Sequence, residues 1–161
     1  LTYAWLEARQ AEDLSSLGDT NSLVILERSL NRFSLAEGQT DRVWTNFLTP
    51  TRIQNFAVSV YLNLGQIEEA KSPAFSAIRS VEYAKLSPVI LADAATVNLL
   101  RGNIEVGCEL AGMALGEAVV LKSRWALVRL KRLRQLLQTV APQEAFQLIV
   151  QFNALAKLPG S

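Results

Sequence analysis

Three glycine-centred turns, at Gly18, Gly65 and Gly102, restrict this chain more than any other feature of its sequence. Around the second, YLNLGQIEEAKSPAFSAI (61–78) reads as a helix end, a tight turn at Gly65-Gln66, and a new helix opening with Ile67-Glu68-Glu69-Ala70. Ala70 and Ala77 then stand seven residues apart. That spacing puts them two turns along one face, where small side chains let a neighbouring helix come close. Around Gly102 the stretch AATVNLLRGNIEVGCELAGMAL repeats the pattern, with Gly107 and Ala114 in the same places. A weaker copy around Gly18, DLSSLGDTNSLVILERSL, puts Leu23 and Leu30 there. A chain that writes helix–turn–helix three times in one grammar is held to helical hairpins packed on one another.

The remaining stretches extend the same pattern. A first helix is expected over Thr2–Leu17, its apolar face formed by Tyr3, Leu6, Ala11, Leu14 and Leu17. Asn21 or Ser22 caps a second, which runs through Leu26 and Phe33. Glu37–Pro50 is irregular, with Trp44 and Phe47 expected to fold back over the helix pair. Pro50 opens a third helix, Thr51–Leu64. A fourth spans Ile67–Ala84, where interior Pro73 predicts a bend or break near Ser72. Ser87-Pro88 opens a fifth that ends at Gly102, and Ile104–Leu121 and Ser123–Val140 follow. Pro142 opens an eighth, ending near Lys157.

Eight helices in antiparallel pairs predict an all-α fold, a single domain over residues 1–161. Its units fall at about 2–36, 50–84 and 87–121, with a closing pair at 123–157. Gly18 and Gly65 stand 47 residues apart and Gly65 and Gly102 37 apart, near a helix-pair period of ~34 with added loop. A pair cannot bury its apolar face alone, so the expected architecture stacks the pairs into a short superhelix. A plain four-helix bundle leaves the shared turn pattern without a cause.

Composition excludes several chemistries. Half the residues are hydrophobic and 19% are charged, outside the range of disordered chains. The net charge of +1 gives no overall pull towards nucleic acid or membrane. Histidine is absent, which removes the commonest metal ligand and every His-dependent nucleophile. The glycines are too dispersed for a phosphate loop. The single cysteine, Cys108, lies among apolar and small residues and reads as a small hydrophobe. The lack of disulfides leans towards a cytoplasmic protein. No apolar run is long enough to span a bilayer. Neither an enzyme nor a metal or cofactor site is expected.

On Tyr61, Gly65, Ala70, Ala77 and Ile78, then Ala95, Gly102, Gly107, Ala114 and Leu115, the chain resembles degenerate tetratricopeptide repeats over roughly Trp5–Leu121. It departs from them where Ala57-Val58 and Ala94-Ala95 replace the usual Leu-Gly pair of the first helix, and no proline follows Ile78. The seventh helix, SRWALVRLKRLRQLL, is similar to the end of the sensor half of bacterial, especially actinobacterial, helix-turn-helix transcriptional regulators. That resemblance implies a C-terminal fragment of a larger regulator, touching DNA only through a domain outside this chain. The implied activity is sensing of a peptide, small molecule or partner protein, as a homodimer. The alternative is a protein-docking scaffold of a multidomain signalling protein.

Three surfaces are candidates for binding. Arg52, Asn55, Ser59 and Asn63 step by three and four along the third helix, a polar stripe that faces either open solvent or a groove. In a superhelix the first helix of each pair lines the concave wall, where Thr96 of the fifth helix would join them. Asparagines there could hold peptide amides, and Arg52 a carboxylate. The seventh helix carries Lys122, Arg124, Arg129, Lys131, Arg132 and Arg134 around an apolar line of Ala126, Leu130, Leu133, Leu137 and Val140. Its cations read first as a solvated face, second as a contact for an anion, an acidic partner surface or DNA held by a domain outside this chain. Finally, the last helix is too apolar for one neighbour to cover, which predicts that it either self-associates, through Phe146, Ile149 and Phe152, or receives another part of the full protein.

Overall fold

A computed structural model describes residues 1–36, 48–79, 87–121 and 124–155 of the chain. The described residues form eight α-helices and no strand: α1 (Thr2–Ser16), α2 (Asn21–Ala36), α3 (Pro50–Asn63), α4 (Ile67–Arg79), α5 (Pro88–Leu100), α6 (Ile104–Leu121), α7 (Arg124–Val140) and α8 (Phe146–Leu155). The expected covering of the first hairpin by Trp44 and Phe47, the position of Lys122 and the chain beyond Leu155 lie outside the described residues.

The three turns share one geometry. Gly18, Gly65 and Gly102 hold φ of +77°, +71° and +80°, a region open to glycine at little cost. At each, the glycine N–H donates to the carbonyl three residues back, and the next N–H reaches back five. The second set is Asp19 to Leu14 at 3.1 Å, Gln66 to Tyr61 at 2.9 Å and Asn103 to Asn98 at 2.9 Å. These paired bonds satisfy carbonyls that a helix end otherwise leaves open. Gln66 and Asn103 then start the next helix, their carbonyls accepting from Ala70 and Gly107.

The first hairpin departs from the expected register. Its buried small residues are Ser22 and Ser29, both fully enclosed, while Leu23 and Leu30 are only half-buried. Here α2 starts three residues after its glycine, whereas α4 and α6 start two after theirs, so the close-contact face falls one position earlier. Ser29 Oγ donates to the Ala4 carbonyl of α1 at 2.7 Å, a contact its short side chain permits.

Two compact units divide the chain, Leu1–Ser80 and Val81–Ser161. In the first, α1 packs against both α2 and α3, and α3 against α4. The buried line of α1 is Ala4, Ala8, Ala11 and Ser15, and the Tyr3, Leu6 and Leu17 of the expected face point outward. With helices on two sides, α1 turns its smallest residues inward so that the axes can approach. Phe33, Leu48 and Ile53 close the core at one end, and Leu26, Ala57 and Val60 at the other. Pro73 does not break α4; the carbonyl it leaves without an N–H belongs to Glu69, an exposed residue.

In the second unit α5 lies against both α6 and α7. Its sequence VILADAATV is apolar nearly all round, the mark of a central helix, and nine of its residues are buried. Ser87 Oγ accepts from the Val89 N–H at its start. The line Ala126, Leu130, Leu133 and Leu137 of α7 is buried as its spacing predicts. Pro142 does not open the last helix; a single turn closed by Ala145 N–H to the Ala141 carbonyl comes first, and α8 starts at Phe146.

Candidate functional site

The polar stripe of α3 is drawn into the fold. Ser59 is fully buried and donates to Glu12 Oε1 of α1 at 2.7 Å. Asn63 Nδ2 donates to Ser15 Oγ at 3.0 Å, and Ser15 Oγ in turn donates to the Glu12 carbonyl at 2.8 Å. Glu12 also pairs with Arg9 at 2.6 Å, and the Arg9 guanidinium stands 6.0 Å from the Phe56 ring centre. The expectation that Ser59 and Asn63 face a ligand groove therefore fails: they bind α3 to α1. Steps of three and four put residues on one face, and here the partner of that face is another helix. Arg52 remains exposed, with its backbone N–H held by the Thr49 Oγ1 cap, and Asn55 is half-buried. Thr96 spends its hydroxyl on the Ala92 carbonyl of its own helix at 2.8 Å. It lies in the second unit, and the α3 residues lie in the first.

Ionic contacts that spacing did not single out hold both units. Glu7 of α1, almost enclosed, lies 2.6 Å from Arg28 Nε and 3.0 Å from Arg32 Nε of α2. Those arginines also line a shallow, open depression on the outer face of α2 with Val24, Glu27, Asn31 and Leu35. Since Glu7 and Glu27 together balance the two guanidinium charges, the depression is no ready anion site. In the second unit Asp93 of α5, only 3% exposed, meets Arg129 Nε at 3.7 Å. Arg134 Nη1 donates to Asn153 Oδ1 of α8 at 2.7 Å. Two of the cations of α7 are thus structural, and Lys131 and Arg132 stay exposed. The sequence signal for the first of these pairs was Asp93 itself, a lone carboxylate in an apolar helix.

The α8 residues separate. Phe152 is buried in its own unit, Ile149 is half-buried, and Phe146 is exposed. Cys108 is half-buried, and burial first, then the Glu144 carboxylate, push its thiol above the usual range, away from a reactive thiolate. Among the described residues no cluster of His, Cys, Asp and Glu could hold a metal, and no helix is long and apolar enough to cross a membrane. No protein-family model, curated protein or solved structure matches the chain.

Proposed function

We propose that the chain is a non-catalytic protein-docking domain of helical hairpins, tetratricopeptide-like in its local design. The observation that carries this reading is the fate of its side chains. Two of the polar residues suited to cradling a small ligand or peptide, Ser59 and Asn63, are consumed between α1 and α3. Large apolar residues on the second helix of each hairpin stay outside: Val24 and Leu35 on α2, Phe75 on α4, Val106, Met113 and Val120 on α6. Apolar side chains gathered on outer helix faces suit association by packing against another protein. That favours docking over sensing through the α3 stripe. In a transcriptional regulator, the setting implied by the resemblance of α7, a docked partner would bias DNA-binding domains carried elsewhere in that protein.

Photo-crosslinking residues placed singly at Leu35, Phe75, Met113 and Phe146 of the full-length protein test this in cells. Discrete protein adducts from at least one face are expected, with no thermal stabilisation by a metabolite library. A metabolite that raises the melting temperature and shifts the Arg52 and Asn55 NMR signals, without any adduct, would overturn it.

A further inference from the structure

Three glycines lie inside α6, and packing within the chain demands one of them. A Cβ on Gly107 would stand 2.6 Å from Leu99 Cγ, whereas one on Gly112 would make an ordinary contact, 3.4 Å from the tip of Leu148. Gly116 is exposed, and a Cβ there would meet nothing within 4 Å. A mid-helix glycine weakens a helix relative to alanine, and no neighbour among the described residues needs the space. Gly116 borders a line of exposed Val106, Met113 and Val120 at seven-residue steps. At the angular step of a helix, Glu117 flanks that line on one side and Glu109 and Glu105 on the other. All three carboxylates are exposed, and α6 contains no lysine or arginine.

We infer that this face of α6 docks a basic amphipathic helix of a partner protein, with the closest approach at Gly116. The inference rests on the docking reading and names its partner. An apolar helix line bordered by Lys or Arg would set cations against Glu117 on one side and Glu105 and Glu109 on the other while covering Val106, Met113 and Val120. The flexible Met113 side chain adapts to such a surface. A bare backbone at Gly116 lets the second helix approach without a clash. Charge argues against other occupants. A second copy presenting the same face sets glutamate against glutamate, and an anionic bilayer meets three carboxylates. The basic α7 of a second copy has its apolar line buried in its own core.

The probe is a synthetic amphipathic helix with leucines at seven-residue steps and lysines on both flanks. Its glutamate-flanked counterpart serves as control, and binding to the full chain is read by fluorescence anisotropy. The lysine peptide is expected to bind at least about tenfold more tightly than the glutamate peptide. Met113→Lys should weaken it about tenfold or more. Gly116→Ala should raise the melting temperature yet weaken the peptide severalfold, a divergence that a merely structural glycine does not give. Equal binding of both peptides, or binding unchanged in Met113→Lys, overturns the inference. So does adsorption to phosphatidylserine vesicles that Met113→Lys abolishes, or a dimer by light scattering that Met113→Lys dissociates. Adducts at Leu35 or Phe75 but none at Met113 would leave the docking reading standing and remove this one.

Discussion

Replacing Gly65 or Gly102 with valine is expected to cost about 1 kcal/mol or more, because a β-branched residue is strained at φ of +71° and +80°. Urea titration of each variant measures it as a lower midpoint with an unchanged slope. Gly107 obeys a different constraint. Its φ is helical, and alanine would gain up to ~1 kcal/mol of helix propensity. Yet the new methyl would stand 2.6 Å from Leu99 Cγ and 3.2 Å from the Leu99 backbone nitrogen, and overpacking of that kind costs ~1–3 kcal/mol. Gly107→Ala should therefore lower the urea midpoint. The turn glycines are legible in the sequence because few other residues adopt their conformation. Gly107 is legible too, as the small member of a repeated pair. The partner it accommodates, Leu99, is not, since spacing says that something comes close without saying what.

Between elements, the seam of α1 and α3 turns an expected binding stripe into a structural one. Asn63→Ala should now lower stability by ~1 kcal/mol, the worth of a typical hydrogen bond, through loss of the contact with Ser15. Thermal unfolding followed by circular dichroism checks it; an unchanged midpoint would return Asn63 to the list of solvent-facing residues. The stripe was legible as a face but not as an interface, because helical periodicity fixes which residues look the same way and tertiary packing fixes what they look at. Helix α1 shows the same limit from the other side. Its large apolar residues suggested the inward face, and the structure buries Ala4, Ala8, Ala11 and Ser15 instead. Hydrophobicity ranks side chains by transfer from water, whereas a helix flanked on two sides selects the ones that fit. The central place of α5 was written plainly in its run of apolar residues.

At the scale of the whole molecule, each unit has its own core and its own ionic contact between helices: Glu7 with the half-exposed Arg28 and Arg32 in one, buried Asp93 with Arg129 in the other. Each contact joins two helices of one unit. A chain ending at residue 80 is therefore expected to keep its helical circular dichroism and unfold in one cooperative transition, though its size stands near the lower limit for independent folding. A gradual, featureless melt of that fragment would show that the unit depends on the rest of the chain.

The one-residue difference in where α2 begins bears on exchanging segments between hairpins. The second and third hairpins carry their small pair five and twelve residues after the glycine, in one phase. The first carries it four and eleven after, about 100° round the helix. The segment after Gly102, grafted in place of the one after Gly65, keeps the phase and sets Gly107 where Ala70 packs, whereas the reverse graft sets Ala70 against Leu99 in a space that only a glycine leaves. A graft from either into the first hairpin presents the wrong side. The later two hairpins thus share one phase, and the first has a phase of its own.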